Sequence, residues 1–155
     1  MIMQHAIASD KVILLVEDQP DDEKLTIRAL RKSNLANPIA VARDGVEALD
    51  FLFARGDFAD RADKPVPTLI ILDLKLPKLD GLAVLRALRA DRRTRLIPVV
   101  VMTSSKEESD VVASYELGAN SYIRKPVDFG EFLKAANMLG VYWLLLNQPC
   151  PSVPT

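Results

Sequence analysis

The chain has 155 residues, of which 49% are hydrophobic, a size and composition that favour one folded domain over a disordered segment. Lysine and arginine total 20, aspartate and glutamate total 21, and the formal net charge is −1, so no overall positive field attracts nucleic acid or a membrane. No apolar run approaches a bilayer span, the first ten residues do not resemble a signal peptide, and the single cysteine, Cys150, excludes an internal disulfide. We therefore expect a cytoplasmic protein with no nucleic-acid or membrane partner.

Short apolar runs alternate with longer stretches of helical periodicity along the whole chain. The runs predict strands at 12–16, 38–42, 68–72, 97–102 and 120–123. The intervening periodicity predicts helices at 20–32, 45–54, 81–90, 106–117 and from 128 into the segment VYWLLLN. Because the strand runs are continuously apolar rather than alternating, they are typical of parallel strands buried on both faces. The sequence predicts an α/β fold with a doubly wound, five-stranded parallel sheet.

The remaining segments are predicted to lie outside this framework. We expect the domain to occupy residues 11–147, with an amino-terminal tail at 1–10 and a frayed carboxyl-terminal tail at 148–155. The segment 55–67, rich in charged residues and proline, is predicted to be an exposed loop. The only histidine, His5, lies in the first tail and is expected to be inert.

Polar and charged residues follow four of the five apolar runs. In open parallel sheets, ligands bind where the carboxyl ends of the strands emerge, at the point where strand order reverses. The residues at these ends are Glu17 and Asp18, Asp73, Thr103 and Ser104, and Lys125 followed by Pro126. Three carboxylates gathered at one edge repel each other and lose solvation, so the cluster requires a cation. Oxygen ligands of this kind suit Mg²⁺, with Mn²⁺ as an alternative.

Four motifs, VEDQPDD, LIILDLKLPKLDG, VVVMTSS and SYIRKP, occur in an order and spacing that resemble the receiver (CheY-like) domain of two-component response regulators over residues 11 to 140. The resemblance implies the flavodoxin-like (βα)5 fold of that family. The long loop before the third strand and the ending YWLLLNQP resemble single-domain receivers that are paired with phytochrome-type histidine kinases. Such a kinase is the partner that the resemblance implies.

The resemblance also implies a role for each strand-end residue. Asp73 would be the phosphoacceptor that attacks the phosphorus of a phosphohistidine. Mg²⁺ would be held by Asp73, Asp18, the backbone carbonyl of Lys75 and, through water, Glu17. The protein would be a signalling phosphoprotein rather than an enzyme, although it would promote its own phosphorylation and dephosphorylation.

Further family positions contact the phosphoryl group or respond to it. Lys125 and the Thr103 hydroxyl would bind phosphoryl oxygens together with a backbone amide near Ser104, and Pro126 would follow a cis peptide. Thr103 and the aromatic side chain of Tyr122 would form the switch that changes the face built from residues 103–146.

Other functions remain open or are disfavoured by particular residues. A phosphorelay intermediate that passes the phosphoryl group to a histidine phosphotransfer protein stays an alternative, as does an interaction module that is not phosphorylated. A haloacid-dehalogenase-type phosphatase requires a second aspartate where this chain has Lys75, and a nucleotide-binding module requires a glycine-rich turn where it has VEDQPDD.

The apolar end of the last predicted helix favours self-association. Six consecutive apolar residues at 141–146 point in every direction on a helix, so one core cannot cover all of them. Tyr142, Trp143 and Leu146 are therefore predicted to lie in a two-fold homodimer interface.

Overall fold

The structure is a computed structural model that describes residues 11–33, 35–125 and 128–139. The five strands are β1 (Ile13–Val16), β2 (Ile39–Ala42), β3 (Leu69–Leu72), β4 (Val99–Thr103) and β5 (Ser121–Arg124). The five helices are α1 (Pro20–Lys32), α2 (Gly45–Phe53), α3 (Gly81–Ala90), α4 (Glu108–Glu116) and α5 (Phe129–Leu139). Strands and helices alternate in the predicted order, and their bounds differ from the predicted ones by a few residues at most wherever both ends are described.

All five strands are parallel and form one sheet with the order β2-β1-β3-β4-β5. Strand β1 pairs on one side with β2 and on the other with the central strand β3, and Val16 is level with both Ala42 and Leu72. The chain therefore reverses its direction of travel across the sheet between β1 and β3. This arrangement confirms the predicted doubly wound α/β fold and creates a crevice at the carboxyl ends of these two strands.

The core consists of two apolar layers, one on each face of the sheet. Because successive side chains of a strand point to opposite faces, Ile13 and Leu15 pack towards α1 and α5, whereas Leu14 and Val16 pack towards α2 and α3. All four are essentially inaccessible to solvent. Burial on both faces accounts for the continuously apolar strand sequences.

The segment 55–67 is more ordered than its sequence predicts. Residues Gly56–Arg61 form a 3-10 helix, and the Phe58 ring packs edge-on against Phe51 of α2, with 5.3 Å between ring centroids. The Arg61 guanidinium lies 3.7 Å from the centroid of the same Phe51 ring. The prediction of an exposed loop is therefore wrong for Phe58, because a single aromatic residue anchors a segment that is otherwise charged.

Arg89 hydrogen-bonds the two turns that precede β4 and β5, at the amino-terminal ends of these strands. The Arg89 guanidinium, at the end of α3, donates hydrogen bonds of 2.8, 2.8 and 2.7 Å to the carbonyl oxygens of Arg95, Ile97 and Gly118. These carbonyls belong to the turns that lead into β4 and β5. Gly118 has a φ of +89°, a left-handed conformation that favours glycine after the end of a helix.

Several sequence predictions concern residues outside the described part of the chain. Pro126, with its predicted cis peptide, is one of them. The interface residues Tyr142, Trp143 and Leu146 also lie beyond the last described residue of α5. Within the described ranges, no helix is long and apolar enough to cross a membrane.

The turn between β3 and α3 depends on close backbone approach at Gly81. The Gly81 amide donates a 2.9 Å hydrogen bond to the Leu74 carbonyl. A Cβ atom at this position would lie 2.3 Å from the Asp73 carbonyl oxygen and 2.6 Å from the Leu74 Cα. Backbone atoms cannot move aside as a flexible side chain can, so this position requires glycine.

We predict that Gly81→Ala destabilises the fold by about 1–3 kcal/mol, the cost expected when an extra methyl group is forced into packed structure. Gly130→Ala is the control, because its Cβ would meet only the Asp128 side chain, at 3.2 Å. Urea denaturation of both variants and the unchanged protein measures the effect. Equal stability losses in the two variants would show that close backbone approach is not the cause.

Candidate functional site

The strand ends place their charged residues at one edge of the sheet, as predicted. The backbone ladder continues past the strands: the Asp73 amide donates to the Val16 carbonyl at 3.0 Å and the Lys125 amide donates to the Thr103 carbonyl at 2.8 Å. The Glu17 amide likewise bonds the Ala42 carbonyl at 2.9 Å. These bonds hold the residues at fixed positions above the central strands.

Three carboxylates form a compact oxygen cluster at this edge. One oxygen each from Glu17, Asp18 and Asp73 can be chosen so that all three lie within 4.8 Å of one another. Glu17 and Asp73 are buried, with 2% and 5% of their surface exposed. The Oδ1 atom of Asp18 is buried with no hydrogen-bond partner among the described residues. Clustered oxygen donors with an unpartnered buried oxygen fit a divalent cation of the Mg²⁺ or Mn²⁺ type.

The Lys125 ammonium joins this cluster from the end of β5. Its Nζ donates to Glu17 Oε1 at 2.6 Å, to Asp73 Oδ2 at 3.0 Å and to Asp22 Oδ2 at 3.0 Å. An ammonium has three N–H donors, so these carboxylates use all of them. Asp73 Oδ1 accepts a further bond of 3.0 Å from the Lys75 amide.

Burial and pairing act in opposite directions on the titration of these groups. Burial raises the pKa of Glu17 to about 7, although the hydrogen bond from Lys125 opposes the shift. Burial also lowers the pKa of Lys125, but hydrogen bonds to Glu17, Asp73 and Asp22 outweigh it and hold the pKa above its ordinary value. Lys125 is therefore a permanent positive charge in the site.

The other predicted site residues surround the cluster. Thr103 is fully buried at the end of β4 and its Oγ1 accepts a bond from the Ser105 amide at 3.4 Å, whereas Ser104 is exposed. The half-buried Tyr122 donates its hydroxyl to the Ser105 carbonyl at 3.4 Å. The Lys75 side chain points to Asp110, with 3.8 Å between Nζ and Oδ2.

Sequence reasoning missed two contacts of the site. The sequence pattern indicates only that Asp22 belongs to the acidic start of α1, yet it is the third partner of Lys125. Asp110 accepts a 2.5 Å bond from the Ser105 hydroxyl and so fastens the segment after β4 to α4. The position of Asp22 four residues after Asp18 could have indicated its role. The sequence does not distinguish it, however, from its acidic neighbours Asp21 and Glu23 in the same first turn.

The family model described as the response regulator receiver domain matches residues 13–137. The chain is 40% identical to response regulator Rcp1 from Synechocystis sp. over 134 residues, which cover 86% of this chain and 89% of Rcp1. The chain therefore belongs to the response regulator receiver domain family, a family of signalling domains.

Solved structures place it beside receivers associated with phytochromes. The bacteriophytochrome response regulator RtBRR is 53% identical, with a TM-score of 0.75, over 92% of this chain and 85% of RtBRR. The phosphorylated cyanobacterial phytochrome response regulator RcpA is 36% identical, with a TM-score of 0.82, over 93% of this chain and all of RcpA. The Mn²⁺-bound form of Rcp1 has a TM-score of 0.80 at 38% identity, over 90% of this chain and 99% of that structure. The predicted resemblance to phytochrome-linked receivers is thereby confirmed.

We predict that the metal-free protein loses stability as the pH rises from about 4.5 to about 7. Glu17 has an ordinary pKa of 4.5 and a folded value of about 7, so in this window the folded chain keeps a proton that the unfolded chain releases. The stabilisation is complete below the ordinary pKa of 4.5 and is lost as the pH rises through the folded pKa of about 7. It amounts to roughly a few kcal/mol at most.

Thermal unfolding in EDTA between pH 4.5 and 8 tests this prediction. Glu17→Gln should remove most of the dependence, whereas Glu116→Gln, at an exposed glutamate near the end of α4, should retain it. The same pH profile in both variants would show that another group is responsible.

Proposed function

We propose that this protein is a single-domain response regulator that accepts a phosphoryl group on Asp73 from a phytochrome-type sensor histidine kinase in a Mg²⁺-dependent reaction. The observation that carries the proposal is the buried Asp73 carboxylate, bonded to the Lys125 ammonium inside a cluster of three acids. Support for the partner comes from the relatives, since RtBRR and RcpA are both described as phytochrome response regulators.

The transfer is a nucleophilic displacement at phosphorus. An Asp73 oxygen forms a bond to phosphorus while the bond between phosphorus and the donor histidine nitrogen breaks, and the histidine retains the electron pair of the broken bond. The product is an acyl phosphate on Asp73. A cavity of about 310 Å³ lies next to the end of β3 and is lined by residues 74–76, Asp80, Leu82 and Asp110.

The carboxylates and Lys125 have different electrostatic roles: the acids would bind the cation, and Lys125 would bind the phosphoryl group. Glu17, Asp18 and Asp73 would hold the cation, together with the Lys75 backbone carbonyl. When bound, Mg²⁺ offsets the negative charge that the phosphoryl oxygens bring into the site. Lys125 binds one phosphoryl oxygen as a point charge, and it is already held at the site by Asp73 and Glu17. The rigid backbone ladder under these residues limits the reorganisation needed during transfer.

Thr103 and Tyr122 would transmit the change to the surface. Thr103 is buried at the end of β4, and the segment after it is held by the Ser105 bonds to Tyr122 and Asp110. Movement of Thr103 and Ser104 towards a phosphoryl group pulls on that segment and on both partners. The face presented by α4, β5 and α5 then differs between the two states.

We predict that Asp73→Asn abolishes covalent phosphorylation. Acetyl phosphate with Mg²⁺ should add one phosphoryl group to the unchanged protein, because the Asp73 nucleophile lies beside Lys125 and the acids Glu17 and Asp18. EDTA should prevent the reaction. Intact-protein mass spectrometry or Phos-tag electrophoresis measures the product.

The control is Asp63→Asn, which removes an exposed aspartate from the loop before β3 and should leave labelling unchanged. Continued Mg²⁺-dependent labelling of Asp73→Asn would assign the phosphoacceptor to another residue. Profiling against purified histidine kinases then identifies the donor, and reverse transfer to a histidine phosphotransfer protein would reveal a relay.

The predicted homodimer is a further part of the proposal. Val112 and Tyr115 on α4 are 54% and 50% exposed, so the described part of the predicted face carries large apolar groups. Sedimentation velocity across a concentration range should show dimers, and Trp143→Glu with Leu146→Glu should shift them to monomers. A monomer at high concentration, with and without beryllofluoride, would exclude the interface.

A further inference from the structure

Lys125 contacts a carboxylate outside the predicted site. Besides Glu17 and Asp73, its ammonium also binds Asp22. Its three N–H groups are shared among Glu17, Asp73 and Asp22, at 2.6, 3.0 and 3.0 Å. A lysine whose donors are all occupied cannot add a phosphoryl oxygen without releasing one acceptor. The transfer reaction therefore requires an exchange of partners at the ammonium.

The three acceptors differ in how readily they can be released. The Glu17 and Asp73 side chains are 3% and 5% exposed, so in the metal-free protein loss of the ammonium would leave a buried charge without its partner. The Asp22 side chain is 38% exposed, so water can solvate its carboxylate once the ammonium leaves. Release of Asp22 is the least costly of the three.

The position of Asp22 on α1 also allows it to lose Lys125 without losing its charge. It lies in the first turn of the helix, which begins at Pro20, and the unpaired amides there favour a negative charge. The neighbouring Asp21 lies in the same turn but is exposed to solvent. Of the three acids in this turn, Asp22 is the one that faces the sheet edge at hydrogen-bond distance from Lys125.

We infer that Asp22 is a positioning residue that holds Lys125 in the unphosphorylated protein and competes with the phosphoryl group for it. This inference rests on the proposed function of Asp73. Asp22 places the ammonium beside Asp73 before the donor arrives, and the arriving phosphoryl oxygen replaces the Asp22 carboxylate at one N–H group. Asp22 thereby disfavours the phosphorylated state relative to a site in which the third N–H group is free.

Binding of beryllofluoride, a mimic of the phosphoryl group, measures this competition. In saturating Mg²⁺, Asp22→Asn should bind beryllofluoride roughly three- to tenfold more tightly than the unchanged protein, the size of effect that a partly exposed ion pair produces. Titration followed by ¹⁹F NMR gives the affinity directly. Asp21→Asn is the matched control, because it removes the same charge from the same helical turn, and its affinity should stay unchanged.

A second measurement needs neither metal nor mimic. In metal-free protein, the ammonium protons of Lys125 should give a slowly exchanging ¹⁵N-correlated NMR signal in the unchanged chain and in Asp21→Asn. The signal should broaden in Asp22→Asn because one acceptor is weakened. Thermal unfolding checks that both variants retain the fold.

The possible outcomes separate the inference from the function beneath it. If the unchanged protein binds beryllofluoride and the two variants bind it equally tightly, or if Asp22→Asn binds it more weakly, the role of Asp22 is overturned and that of Asp73 stands. An unaltered Lys125 signal in Asp22→Asn also overturns it. If neither the unchanged protein nor Asp21→Asn binds beryllofluoride, the proposed function fails and this inference fails with it.

Discussion

The pairing of one partly buried ammonium, that of Lys125, with several carboxylates is the interaction on which the site depends. The central strands β1 and β3 bring Glu17, Asp18 and Asp73 together, and their charges would repel each other in an environment with little water. Lys125 comes from the end of β5, beyond β4, and its long side chain spans that strand to reach the acids. The ion pairs of Lys125 thus connect the outer strand β5 to the inner strands β1 and β3, at the end of the sheet where β4 finishes in Thr103.

The strands were predictable because burial on both faces leaves a direct trace in the sequence. Continuous apolar runs such as ILLV and LIIL are typical of strands in this setting, and they occur at the spacing of strand–helix units. The packing of residues 56–61 left no such trace. Charged residues dominate that segment, and whether Phe58 meets Phe51 depends on where α2 ends and on how the chain leaves it.

The site was predictable to the extent that its residues stand at strand ends. Glu17, Asp73 and Lys125 follow apolar runs, so parallel pairing alone brings them to one edge. Asp22 belongs to a helix, and which of three consecutive acids faces the sheet depends on the rotation of α1 about its axis. Ala29 and Leu30 pack against the sheet and place Asp22 on the same face of the helix, but the contact with Lys125 also depends on how closely the start of α1 approaches the end of β5, a tertiary feature.

The three carbonyls held by Arg89 have a mechanical consequence. They clamp the entries to β4 and β5, and the Asn120 side chain adds a 2.8 Å bond from the Val99 amide at the same end. The opposite ends of these two strands carry Thr103 and Lys125, whose partners would change on phosphorylation under the function proposed above. Strands β4 and β5 are therefore held by hydrogen bonds at their amino-terminal ends and carry residues of the site at their carboxyl ends. Under the proposed function, a displacement of Thr103 and Lys125 would therefore reach α4 and α5 while the other ends of the two strands stay held by these hydrogen bonds.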